Sequence, residues 1–149
     1  PYPSFMAFDA AKRETCSVQR TRTTTPLQAL VTLNDPVYVE AGRHLGLRLL
    51  DGKGDDQERL VRGFRLVASR APEPRELSIL QALLVDLRTH FANAPKAARK
   101  VLGLDKQRAK GKGKRDVEPE LDPATVAERA AWAQLGATLL NLEAAIRRG

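Results

Sequence analysis

The chain has 149 residues, room for one domain with a single core. Hydrophobic residues make up 42% and aromatic residues only 5%, so the core must be built from Leu, Val and Ala, which favours helices over a β-sandwich. Twenty-five Lys and Arg against 18 Asp and Glu leave a formal charge of +7, which admits nucleic acid, an anionic glycan or a membrane surface as partner. No apolar run reaches the roughly 20 residues a membrane-crossing helix needs. One cysteine, Cys16, excludes an internal disulfide. The chain opens Pro1-Tyr2-Pro3 with no initiator Met, and the expectation is a piece of a longer polypeptide.

Residues 1–24 lack helical periodicity and read as an extended arm. Thr25-Pro26 is a helix-start signal, Thr as N-cap and Pro at the first helical position. Leu27, Leu30 and Val31 follow at helical spacing until Asn34-Asp35-Pro36 interrupts them. Asp35-Pro36 starts a second helix through about Leu50, with Tyr38, Ala41, Leu45 and Leu49 on one face.

Asp55 with Glu58 predicts a capping box for a third helix, whose stripe is Leu60, Phe64 and Val67. Pro74 opens a fourth, with Glu76 favouring its dipole. Here the apolar pattern is strongest: Leu77, Leu80, Leu84, Leu87 and Phe91 step by three and four. A short helix from Lys96 to Leu102 ends at Gly103. The segment 104–121 alternates Lys with Gly and reads as a flexible basic linker. Asp122-Pro123 then starts a C-terminal helix that packs Trp132, Leu135, Leu139, Leu142 and Ile146 on the core of 25–103. The expected fold is all-α, an irregular bundle of five to six helices with an extended N-terminal arm.

No catalytic or metal constellation emerges. His44 and His90 are isolated, Cys16 has no neighbouring base in sequence, and Asp55, Asp56, Glu73 and Glu76 are accounted for by helix capping. Much of the excess positive charge lies in Lys106, Arg108, Lys110, Lys112, Lys114 and Arg115. These are interleaved with glycine and lack aromatics, so nucleic acid is disfavoured as a partner.

One segment points to a contact site. Arg20, Arg22, Thr23 and Thr25 converge on the helix that begins at Pro26, where free backbone N–H groups and the helix dipole favour an anion. Gln28, one turn in, and Asn34, at the far end, adjoin it. The alternative is that Thr25 only caps the helix and the arginines bind acids of the same chain.

Cys16-Ser17-Val18-Gln19-Arg20, Arg22-Thr23-Thr24-Thr25-Pro26-Leu27-Gln28-Ala29-Leu30 and Leu33-Asn34-Asp35-Pro36 resemble the signature of a planctomycete-type family. Phe8-Asp9, Ala131-Trp132-Ala133 and Leu139-Leu140-Asn141-Leu142-Glu143 fit the same pattern. The chain departs from it at Gln19, where Arg is expected, and at Thr24, where Asn is expected. The resemblance implies the C-terminal part of a surface-type domain of unknown function within large exported proteins that carry a cytochrome-c-like domain. It implies haem c elsewhere in the parent and none in this chain, a periplasmic or cell-surface location, and neighbouring domains of the parent as partners. The function expected is a non-catalytic accessory or docking domain. The alternatives are part of an extracellular enzyme, acting on polysaccharide, whose active site is completed upstream, or a nucleic-acid-binding module.

Overall fold

The computed structural model describes residues 30–31, 33–104 and 121–142. Five helices, and no strand among these residues, make the protein all-α: α1 Pro36–Leu50, α2 Asp56–Ala68, α3 Pro74–Asn93, α4 Pro95–Leu102 and α5 Pro123–Leu140. The expected arm and nearly all of the basic linker lie outside the described residues. Leu104 and Leu121, at the two ends of that linker, pack half-buried against the core.

Each helix start follows from local chemistry. The carboxylate of Asp35 accepts from the Val37 N–H at 2.9 Å, with Pro36 at the first position of α1. Asp55 and Glu58 form the full capping box of α2, each side chain accepting from the other's backbone N–H, at 2.8 and 3.2 Å. In α3 the Glu76 carboxylate reaches back to the Glu73 N–H at 2.7 Å, and Pro74 takes N1. Asp122 accepts from the Ala124 N–H at 3.2 Å before α5. α4 stops at Gly103, whose φ of +74° lies in the left-handed region that suits glycine.

α5 is the hub. It packs against α1 over the largest interface and also against α3, α4 and α2. Val126, Ala127, Ala130, Ala131, Trp132 and Ala133 are buried, as are Leu135, Gly136 and Leu139, so the helix is apolar around most of its circumference. Trp132, Leu135 and Leu139 are fully enclosed, as their spacing predicted, but the helix ends at Leu140 with Asn141 as its C-cap, so Leu142 packs half-buried from beyond it; Ile146 and the expected helix start at Thr25-Pro26 lie outside the described residues. The α3 stripe also holds: Leu80, Leu84 and Phe91 are buried, and Leu77 and Leu87 pack half-buried against the core.

The face of α1 differs from the one its apolar residues suggested. Leu49 is buried and Tyr38 and Leu45 half-buried, but Ala41 is exposed, and the centre of the face is Gly42 and Gly46. A β-carbon on Gly46 would lie 1.9 Å from the Trp132 carbonyl oxygen, one on Gly42 2.6 Å from the Ala137 Cα, and one on Gly136 2.2 Å from the Gly42 oxygen. α1 and α5 therefore meet backbone to backbone, at an approach that only glycine permits. The pairing of Gly42 with Ala137 and of Gly46 with Trp132 makes the two helices antiparallel.

Candidate functional site

Of the residues expected to form the anion or interdomain site, Arg20, Arg22, Thr23, Thr25 and Gln28 lie outside the described residues. Asn34 is described. It ends a turn that is helical at residues 30–31 and 33–34, and its Nδ2 donates to the Leu30 carbonyl at 2.8 Å. Asp35 N–H donates to the Val31 carbonyl at 2.8 Å while Asp35 itself is extended, with φ −67° and ψ 127°. The Leu33-Asn34-Asp35-Pro36 junction is thus a corner in which one residue closes the preceding helical turn and the next caps α1. Asn34 spends its amide donor on that corner, which ties it to local geometry.

Around the corner the surface is apolar. Leu30 is 57% exposed, Leu33 49% and Val37 63%. Three large aliphatic side chains in eight residues, flanking the end of the Arg/Thr segment, are left uncovered by the bundle. The antiparallel register of α1 on α5 sets this corner at the end of the bundle where α5 finishes, beside Leu139-Leu140-Asn141-Leu142. Two of the stretches that carry the sequence resemblance, separated by about a hundred residues, therefore share one end of the molecule.

A second polar constellation was not anticipated from sequence. Arg88 on α3 grips the Glu128 carboxylate of α5 with two hydrogen bonds, Nε to Oε2 at 2.8 Å and Nη2 to Oε1 at 2.6 Å. Its remaining nitrogen, Nη1, donates to Asp56 Oδ2 on α2 at 2.6 Å. The indole N–H of Trp132, a fully enclosed side chain, donates to Glu128 Oε1 at 2.9 Å. Hydrogen bonds to Glu128 and then to Asp56 push the Arg88 pKa further up, so the guanidinium is permanently charged.

Asp56 lies in the first turn of α2, as expected from sequence, and is also an interhelical ligand of Arg88. Arg59 sits 3.6 Å from its other oxygen. Both carboxylates of the constellation are neutralised by arginine. The arrangement therefore clamps α2, α3 and α5 together and offers no free base for chemistry. Its sequence signal was faint: a glutamate one turn before Trp132 in an otherwise apolar helix, and an arginine directly beside the apolar stripe of α3.

At the α2–α3 corner, Arg70 lies 4.9 Å above the Phe64 ring and donates two hydrogen bonds to Glu76, at 2.8 and 2.7 Å. Those bonds, with the Glu73 N–H, hold the Glu76 carboxyl well below the usual range, at about 2. Among the described residues no group of three or more His, Cys, Asp or Glu could hold a metal ion, no helix is long and apolar enough to cross a membrane, and every buried side-chain nitrogen and oxygen has a hydrogen-bond partner.

No curated protein and no solved structure matches the chain. A family model matches residues 1–84, which include α1, α2 and the first half of α3, while α5, against which all three pack, lies beyond the match. The match spans more than half of the chain, and the chain belongs to that family, PSD1, a family of proteins of unknown function (DUF1553).

Proposed function

We propose that this chain is a non-catalytic helical docking domain of a larger exported polypeptide, and that its Arg/Thr segment receives a carboxylate from a neighbouring domain. The observation that carries the reading is the uncovered apolar corner formed by Leu30, Leu33 and Val37, where that segment enters α1. Exposed apolar side chains clustered on a surface mark contact sites, and the two arginines that precede them in sequence would supply the charged part of such an interface. The sequence resemblance adds the rest of the proposal: a cytochrome-c-like domain, with its haem, in another part of the same polypeptide, and a periplasmic or surface location.

The test is association between this domain and the remainder of the parent polypeptide, produced separately and followed by titration calorimetry. Arg22→Ala should weaken it by about 1.5–3 kcal/mol, as expected for a sheltered charged hydrogen bond. Leu33→Asp with Val37→Asp should weaken it at least as much, because both introduce unpaired charge into the contact. Arg22→Ala that destabilises the isolated chain and the parent equally would show that the arginine serves this domain's own fold, and the docking reading would fail.

A further inference from the structure

α3 turns one side to solvent over about four turns. Leu80, Leu84 and Phe91 face the core, and on the opposite side Arg75, Ile79, Ala82, Asp86 and Thr89 are all exposed. These five follow one another at steps of four and three, so at about 100° per residue they fall within a band about 80° wide along the helix. Ile79, at 58% exposed, is the largest apolar side chain of that line. The hydroxyl of Thr89 donates to the Val85 carbonyl at 3.0 Å, and that of Ser78, beside the line, donates to the Arg75 carbonyl at 2.8 Å. Both hydroxyls are thus spent within α3 itself.

Arg75 and Asp86 are the charged members of the line, and neither has an ion-pair partner among the described residues. Their own helix gives Arg75 no acid and Asp86 no Lys or Arg three or four residues away, where a helical pair would form. A lone cation says little by itself, and Arg48 and Lys96 lack ion pairs too. The order of the line says more. Arg75 stands four residues before Ile79, and Asp86 stands four residues after Ala82. Opposite charges therefore lie at equal distances on either side of one large and one small apolar side chain.

We infer that this face pairs with the same face of a second copy of the chain, the two α3 helices running antiparallel about a two-fold axis between Ile79 and Ala82. That register sets Arg75 of each copy beside Asp86 of the other. It also sets Ile79 of each copy against Ala82 of the other, a large side chain over a small one. A parallel pairing would put like charge on like charge, so the charges select the orientation as well as the partner. From Arg75 to Asp86 the contact runs roughly 16 Å at a rise of about 1.5 Å per residue. So short a contact lies below the roughly 1,200 Å² of stable interfaces, and the dimer is a weak one, dissociating at about 0.01–1 mM. The inference is independent of the docking reading, since the face shares no residue with the corner at Leu30, Leu33 and Val37 or with the Arg/Thr segment.

The experiment is analytical ultracentrifugation of the full chain from about 10 µM to about 1 mM. The average mass should rise with concentration, and the rise should diminish as salt is raised to about 0.5 M. Arg75→Asp sets acid against acid across the pair, and Asp86→Arg sets base against base. Each alone should raise the dissociation constant about tenfold or more. Mixed in equal amounts, the two variants should associate again as a heterodimer, because every charge then meets its opposite. Ile79→Glu should abolish association. Lys96→Asp, on α4, makes the same change in net charge as Arg75→Asp and should leave association unchanged. Circular dichroism of each variant checks that the helices persist.

A chain that stays monomeric up to about 1 mM would overturn the inference. So would a dimer that survives Ile79→Glu, or an equal loss of association with Lys96→Asp and Arg75→Asp. Two charge variants that each lose association and do not recover it on mixing would overturn it as well, since the charges would then act without meeting across the pair. Association that is absent from each variant alone and returns in the mixture is the supporting result, and no other occupant of the face would produce it.

Discussion

α5 is held in two different ways on its two sides. Toward α1 the contact is made by absence: Gly42, Gly46 and Gly136 let two backbones touch, and nothing on that side can grow. Toward α2 and α3 it is made by charge: Arg88 spans Glu128 and Asp56, and the enclosed Trp132 is anchored to the same carboxylate. The first seam is short-range and steric, so it has almost no tolerance. The second is directional and only partly enclosed, with Arg88 34% exposed, so solvent and salt moderate its contribution. A hub helix can thus be located by a glycine seam and oriented by an ion-pair clamp, with separable energetics.

The largest expected effect tests the seam. Gly46→Ala should destabilise the chain by about 1–3 kcal/mol, even though alanine is the better helix former, because its β-carbon would enter the Trp132 carbonyl, which is backbone and cannot swing away. Gly63→Ala is the matched control: there the nearest atoms are the side-chain ends of Leu49 and Leu139, which can shift, and the propensity gain of about 1 kcal/mol should leave stability nearly unchanged. Equal losses in urea unfolding would remove the steric basis of the comparison.

The clamp should yield a smaller change. Arg88→Ala leaves two carboxylates facing each other's site without their cation, and a loss of about 1–2 kcal/mol is expected for a pair between the exposed and buried limits. That loss should shrink as salt is raised, whereas the Gly46→Ala loss should not. A salt-independent Arg88→Ala effect would mean that the arginine acts through the packing of its stem rather than its charge.

Smallest is the exposed corner. Glu76 titrates at about 2, below the ordinary carboxylate value, so its contribution to stability is fully present above about pH 4.5 and is lost as the pH falls toward 2. Arg70→Ala should return the Glu76 titration, followed by NMR, toward the ordinary range. A Glu76 carboxyl that still titrates near 2 in that variant would put the shift on the Glu73 N–H rather than on Arg70.

These contrasts track what could be read from the chain. Helix starts were legible because Asp35-Pro36, Asp55 with Glu58, Pro74 with Glu76 and Asp122-Pro123 act within one turn. The α3 stripe was legible because one face of that helix is buried and the others are not. The α1 face departs from its apolar pattern at Ala41, because glycine has no apolar side chain and its role here depends on a partner helix some ninety residues away. Asp56 does lie in the first turn of α2, as its local pattern suggests, but its bond to Arg88 enters only through tertiary structure. Of the expected contact site the structure describes only Asn34, whose amide turns out to serve the corner before α1.

By itself, then, the sequence determined an all-α chain, the helix starts at Asp35-Pro36, Asp55, Pro74 and Asp122-Pro123, and the Leu-rich stripe of α3, because each depends on capping chemistry or on the 3.6-residue period within a single segment. Only the tertiary structure decided that the last helix is the centre of the bundle rather than a cover for it. It also decided that glycines form its closest contact and that Arg88 joins three helices. Each of these depends on which surfaces remain after distant segments have packed, and no local pattern encodes that remainder.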